Sequence, residues 1–311
     1  NSIIGIGSAS AGTAVMHGIQ VYGGIVRTYN NFVNIGVDAT GASLTLSHEF
    51  NGITKNTANR ASILFNTVNV GGTGVGAGAA NTYAFRRLVN PTVTPVDSVY
   101  SNIFVNNRSN GASTGSHYSV GINNNTNYEC NGNVYYGAGT GYLMGIINVT
   151  PYASVSLWMA GVPGQDLGSY QVNPNFISAT NLHINNALVS VLESRAINVG
   201  NIITDIDGQN RPGPTGSVNG GGTNHDIGAD EFDGLPVNVD IGIQLLVTPL
   251  TTGCHTACDA VRVRLRNYTN TPLNMAVNPV DITSSTTGPN PQTLTLLTIS
   301  SGTLPASGFL D

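Results

Sequence analysis

Short apolar, β-branched stretches that end in Asn or Gly recur along the first part of the chain. They occupy 24–36 (GIVRTYNNFVNIG), 61–72 (ASILFNTVNVGG), 98–107 (SVYSNIFVNN) and 131–137 (NGNVYYG). Each reads as strand-forming sequence, and no helical stretch separates one unit from the next. Strands that stack in parallel without crossover helices predict a solenoid: coil lies on coil, inward residues form a continuous apolar ladder, and Asn marks the corners. An antiparallel barrel would instead show two-residue hairpin signals, which are scarce here. Unequal spacing between units predicts projecting loops of varied length, 71–80 among them as a flexible glycine-rich turn. After Phe232 the pattern changes. Residues 235–242 (LPVNVDIG) read as a linker, 261–269 (VRVRLRNYT) alternate with period two like an outer sandwich strand, and prolines at 272, 279, 289 and 291 punctuate the connections. The expected architecture is all-β, a parallel β-helix over 1–233 followed by a partial β-sandwich over 234–311.

Composition supports strands over helices. Asp, Glu, Lys and Arg make up 9% of the 311 residues, against roughly 25% in an average soluble protein. Lys55 is the one lysine. Exposed helix faces need Glu, Lys and Arg, whereas the abundant Val, Thr, Asn and Gly suit strands and tight turns. The formal charge of −5 brings no basic patch for nucleic acid. Arg86-Arg87 is one small cluster, and Arg262, Arg264 and Arg266 alternate along a strand as a solvated face. No apolar run reaches the roughly 18 residues of a membrane span. Asn1-Ser2-Ile3-Ile4 has no basic flank of a signal peptide, and the chain reads as an internal piece of a longer secreted polypeptide.

Cys254 and Cys258 flank a turn-like stretch with His255. A disulfide between them would close a small loop and suits an oxidising exterior; free thiols or a metal held by Cys254, His255 and Cys258 are the alternatives. Cys130 is left over as a buried thiol. Catalytic groups are sparse. Asp38, Glu49, Asp97, Glu129, Asp166 and Glu193 do not recur at one coil spacing, and no pattern selects two carboxylates facing across a groove. His17, His48, His117 and His183 are scattered loop or core residues. Glycines at 72–78 lack the Lys-Ser ending of a phosphate loop. No cofactor is expected, and the chain is read as not an enzyme.

Three ordered motifs then carry a resemblance. Residues 194–200 (SRAINVG) precede 204–212 (TDIDGQNRP), and 226–232 (DIGADEF) follows. This set resembles the carboxyl-terminal end of Bacteroidetes right-handed parallel β-helix surface proteins of the choice-of-anchor Q type, over Asn173 to Phe232. Arg195 stands where that family usually has Pro. The stretch from Val239 is similar to the Ig-like modules of large gliding-motility and type IX-secreted adhesins. The resemblance implies a right-handed helix, an Ig-like sandwich, and a secreted, cell-surface position outside the outer membrane. It implies a structural or adhesive role, with other copies or domains of a larger assembly, or a polysaccharide, as partners. A polysaccharide lyase, hydrolase or carbohydrate-binding module is the alternative.

Specific residues follow from these readings. Asp205, Asp207 and Arg211, with Asp226, Asp230 and Glu231, are expected to form a structural cap: carboxylates accept backbone N–H bonds, Arg211 pairs with Asp205 or Asp207, and the cluster covers the open edge of the last coil. Calcium held by Asp205 and Asp207 is the competing reading. Tyr135, Tyr136, Tyr142 and Trp158 are candidate glycan contacts, since ring faces stack on sugars; the alternative buries them in the helix. Asp97-Ser98-Val99 matches the O-glycan acceptor pattern of Bacteroidetes surface proteins, which makes Ser98 a candidate glycoprotein site.

Overall fold

The computed structural model describes residues 1–8, 13–92, 96–188, 190–199, 201–213, 224–234, 240–249, 260–269, 271–285 and 297–311. Two compact units divide the chain, Asn1–Pro236 and Val237–Asp311.

The first unit is a parallel β-solenoid of about four turns. Its first coil contains β1 (Ser2–Ile6), β2 (Val15–Val21) and β3 (Val26–Tyr29). The second contains β4 (Phe32–Ile35), β5 (Glu49–Lys55) and β6 (Ala61–Leu64). The third contains β7 (Thr67–Val70), β8 (Thr82–Arg87) and β9 (Asp97–Tyr100), and the fourth β10 (Ile103–Asn106), β11 (His117–Ile122) and β12 (Tyr128–Asn131). Then come β13 (Val134–Tyr136), β14 (Tyr142–Ile147), an antiparallel β15 (Thr150–Tyr152) and a short helix, α1 (Val155–Gly161). Every third strand pairs in parallel, giving sheet A (β1-β4-β7-β10-β13), sheet B (β2-β5-β8-β11-β14, with β15 at its edge) and sheet C (β3-β6-β9-β12).

Register explains the core. Val33, Val68, Phe104 and Tyr135 stand in one column of sheet A. Phe104 stacks on Phe85 of sheet B at 5.4 Å and on Tyr135 at 6.2 Å. Apolar residues at the same place in successive coils therefore stack to fill the interior, at about 1.5–3 kcal/mol for each fully buried apolar side chain. Gly52 belongs to this fit, because a Cβ there would come within 2.2 Å of Val68 Cγ1.

The C-to-A corner is made the same way each time. Asn30, Phe65, Ser101 and Gly132 adopt positive φ, and the next residue is Asn31, Asn66, Asn102 or Asn133. The Nδ2 of each asparagine donates to the Oδ1 of the next rung: Asn1 to Asn31 (3.1 Å), Asn31 to Asn66 (2.8 Å), Asn66 to Asn102 (3.0 Å) and Asn102 to Asn133 (3.0 Å). Left-handed backbone costs an L-residue roughly 1–2 kcal/mol. The amide column offsets that, since Asn66 and Asn102 also donate to the carbonyls of Leu64 and Tyr100 and so hold the bend.

The loop at 71–80 is not a free-standing turn as expected. Val75 and Gly78 bridge in parallel to Asn110 and Ser113 of the next coil, so the loops stack as the strands do. Arg108 lies beneath them, fully buried, donating to the carbonyls of Gly71, Leu44 and Leu46.

In the second unit β16 (Ile241–Thr248), β17 (Arg262–Asn267), β18 (Leu273–Asn274), β19 (Val280–Ile282), β20 (Leu297–Ile299), β21 (Thr303–Leu304) and β22 (Phe309–Leu310) pair only in antiparallel fashion among the described residues. Leu273, Met275 and Leu304 are its buried centre. The expected solvated face of β17 needs correction: Arg262 is exposed, but Arg264 is held by Asp311 and Arg266 is buried, its guanidinium 5.3 Å from the Tyr268 ring.

Candidate functional site

Sheet A is covered on both faces, and the outer cover is formed by described residues of the motif-bearing stretch 173–232. Its apolar contact is Phe32 against Leu182 and Ala229, with Phe176 and Ile206 beside them. Polar contacts run the length of the sheet. Asn34 Nδ2 donates to the Ala179 carbonyl, Ala229 N–H to Thr67 Oγ1, and Gly228 N–H to the Ser101 carbonyl. Gly228 needs its lack of a side chain there, because a Cβ would approach Ile103 Cδ1 to 2.6 Å. Cover on both faces leaves all of Phe32–Ile35 buried, so the one polar residue there, Asn34, is hydrogen-bonded to Ala179 and Asn69.

This flank brings Asp205, Asp207, Arg211, Asp226, Asp230 and Glu231 together. Asp205 Oδ1 accepts from Asp207 and Gln209 N–H, and its Oδ2 from Glu231 N–H. Asp226 accepts from Ser194 and Phe232 N–H, Asp230 from Ile184 N–H, and Glu231 from Asp226 and Gly213 N–H. Carboxylates thus do satisfy the backbone of a segment without regular ladders. Two parts of the expectation change. The cluster lies along the side of the solenoid, over its early coils, and not across the last coil, where α1 and β15 sit instead. Arg211 pairs with Glu231, not with Asp205 or Asp207, and it also donates to the carbonyls of Asp226 and Gly228 while covering Phe65. Burial pushes Glu231 up to about 7 and Asp226 well above the usual carboxylate range, and lowers Arg211. Desolvation therefore opposes the charges that the hydrogen bonds hold in place.

At the outer rim of this cluster, His183, Asp207 and Asp230 place one ligand atom each within 4.8 Å of one another. His183 Nε2 is 2.8 Å from Asp207 Oδ2, and Phe32 meets the imidazole edge-on at 4.8 Å. The sequence signal for His183 was a lone histidine, and nothing local tied it to residues beyond 200.

A second polar cluster lies inside the B-to-C corner. Lys55, Arg87 and Asp97 have side chains that are 1%, 0% and 3% exposed. Asp97 Oδ2 takes Lys55 at 3.1 Å and Arg87 at 2.7 Å, while Oδ1 accepts from Ala61 N–H. Lys55 also donates to the Thr57 and Val89 carbonyls, and Arg87 to those of Asn124, Thr126 and Asn127. Burial lowers the Lys55 ammonium, and Asp97 opposes that. The one lysine of the chain serves the scaffold.

Of the four aromatic candidates, Tyr135 and Trp158 are buried completely and cannot meet a ligand as the exposed reading required. Tyr135 belongs to the core column. Trp158 packs over Gly145, where a Cβ would come within 2.7 Å of the indole. Both donate to Asp166, which closes the amide column. Asp166 Oδ2 accepts from Trp158 Nε1 (2.7 Å), Tyr135 Oη (3.0 Å) and Cys130 Sγ (2.9 Å), and Oδ1 from Ser169 Oγ and Asn133 Nδ2. Burial and Asp166 push the Cys130 thiol well up. Tyr136 and Tyr142 are half-buried, and Tyr142 Oη is 3.0 Å from Ser119 Oγ.

Ser98 sits half-buried in β9, between β6 and β12, on a groove of about 490 Å³ that Arg27, Arg60, Ser62, Tyr100 and Val199 also line. Its neighbour Asp97 is turned inward to Lys55 and Arg87, so Asp97 and Ser98 of the acceptor pattern face opposite sides of the sheet. Beside this groove Glu129 stands opposite Ser98 in register and accepts from Tyr100 Oη at 2.9 Å. The groove offers hydroxyls, guanidinium groups and an aromatic edge, which suit hydrogen bonding to a polar ligand. Cys254, His255 and Cys258 lie outside the described residues. No helix among the described residues is long and apolar enough to cross a membrane. No protein-family model, curated protein or solved structure matches the chain.

Proposed function

We propose that this chain is a non-catalytic structural or adhesive element of a cell surface, a solenoid rod that presents stacked loops and an outward groove. The observation that carries this reading is where the charged side chains go. Lys55, Arg87, Asp97 and Arg108, all within the coils, are buried and bonded to backbone or to one another, and buried Asp166 accepts from five neutral side chains. Groups of the kind that perform acid–base chemistry are here used to hold corners and loops. Resemblance of 194–232 to Bacteroidetes choice-of-anchor Q proteins supports a right-handed helix and an exterior, type IX-secreted position. The antiparallel second unit supports an Ig-like module, and larger filaments or gliding-motility adhesins are the assemblies such a rod would join.

Two measurements test this. Antibody raised against the chain should label intact, unpermeabilised cells of the source organism; labelling only after permeabilisation rejects a surface position. Purified chain should leave pectin and alginate intact with or without calcium; release of unsaturated oligosaccharides, lost on Glu129→Gln or Asp38→Asn, would establish a lyase instead.

A further inference from the structure

We propose that His183, Asp207 and Asp230 bind a divalent transition-metal ion of the zinc type, through imidazole Nε2 and two carboxylate oxygens, with water completing the shell. The three residues come from three separate stretches of the flank: His183 beside the bridge of Phe176 to Ile184, Asp207 in the turn closed by Thr204 and Asn210, and Asp230 in the 226–232 motif.

The tautomer of His183 is the first argument. Asn181 Oδ1 accepts the backbone N–H of His183 at 3.1 Å. A backbone N–H can only donate, so that atom is the amide oxygen. The same oxygen lies 2.5 Å from His183 Nδ1, which must therefore carry a proton. Nε2 is left to face Asp207 Oδ2 at 2.8 Å. Two lone pairs at that separation repel unless a proton or a cation lies between them. An orienting hydrogen bond on the far nitrogen is also what metal-bound histidines characteristically have.

Charge is the second argument. Asp230 is 5% exposed and is anchored by Ile184 N–H at 3.1 Å. Among the described residues neither Asp230 nor Asp207 forms an ion pair with Lys or Arg, since Arg211 is taken by Glu231. Two carboxylates thus meet a single imidazole, and a divalent ion would balance them. His183 and Asp207 have side chains 33% and 46% exposed, which leaves one side open to water and to entry of the ion.

Ligand type selects the metal. Both Asp205 oxygens are occupied by backbone N–H groups, so the alternate carboxylates of 205–208 do not converge on a calcium ion, which takes 6–8 oxygens. One imidazole and two carboxylates suit zinc and its neighbours at about 2.0–2.2 Å. Binding would tie together three segments that lack regular strands and hold them against Phe32.

The test uses the whole chain, stripped with a chelator and titrated with zinc chloride in a calorimeter, with calcium chloride in parallel and cobalt(II) as an optical probe. One equivalent of zinc should bind and raise Tm. Asp207→Asn, an exposed change that preserves packing, should weaken zinc by roughly a hundredfold, and Asn181→Ala by about tenfold to a hundredfold. Cobalt should show ligand-field bands without thiolate charge transfer. No zinc binding means that a proton fills the gap and overturns the proposal. So does zinc affinity unchanged in Asp207→Asn with circular dichroism intact, calcium binding tighter than zinc, or a thiolate band placing the ion at the cysteines.

Discussion

Asn133 Nδ2 donates to Asp166 Oδ1 over 3.3 Å, and there a column of amides ends on a carboxylate. An amide at a rung both gives and accepts, so an asparagine column leaves a donor over at its end. A carboxylate accepts only, and Asp166 uses that capacity five times. Asp166→Asn would turn an NH2 group toward donors from Trp158, Tyr135 and Cys130 or from Ser169 and Asn133. We expect a loss of about 3 kcal/mol from buried donors without acceptors, read as a lower urea midpoint at unchanged slope. A variant within the error of wild type would sink this account of the terminus.

The Lys55–Asp97–Arg87 cluster predicts an asymmetry. Asp97→Asn leaves two buried cations without their counter-charge and should cost about 3–5 kcal/mol, whereas Lys55→Met keeps the neutral Arg87–Asp97 pair and should cost far less. Equal losses in the two variants, measured by chemical denaturation, would contradict the burial of both cations on one carboxylate.

Cys130 should be inert in the folded chain. Its thiol is buried and its ionisation is suppressed by burial and by Asp166, and the thiolate is the reactive form. Alkylation at mildly alkaline pH should modify Cys130 only as fast as the protein unfolds. Rapid labelling of Cys130 under native conditions, located by peptide mass spectrometry, would show that the coil interior is open.

His117 supplies a pH dependence. Its Nε2 lies 2.9 Å from Asn110 Oδ1 and its Nδ1 2.9 Å from Thr82 Oγ1. Burial and the nearby Arg108 push it down to about 4. In the unfolded chain it titrates near 6.5. Between these values the unfolded chain binds the extra proton, so stability present above about pH 6.5 is lost as pH falls toward about 4, by up to roughly 3 kcal/mol. Buried carboxylates such as Glu231 pull the other way. The difference between wild type and His117→Gln isolates the histidine: the variant should lose less stability over that window. Parallel pH profiles would remove His117 as a source.

The coils were legible in the chain because their rules are local. A left-handed residue followed by Asn, then a β-branched run, makes the same corner each time, so 24–36, 61–72, 98–107 and 131–137 mark successive junctions of sheet C with sheet A. Alternation along 261–269 likewise pointed to a strand, but not to the burial of Arg266, which depends on where Tyr268 lies.

Tertiary structure decided what those local rules leave open. Apolar alternation cannot say whether an aromatic faces the interior, and Tyr135 and Trp158 are inside because Phe104, Gly145 and Asp166 from other coils leave room and an acceptor for them. Nor could the motifs of 194–232 announce which surface they cover. Ala229 bonds to Thr67, 162 residues away, and His183 meets Asp207 only because both belong to the flank that covers sheet A. The sequence by itself determined repeating strands, corners and a second β-rich unit, since these depend on neighbours a few residues apart. The flank, the buried charge cluster and the His183–Asp207–Asp230 group depended on contacts between distant residues, whose partners are chosen by which faces the stacked coils leave uncovered.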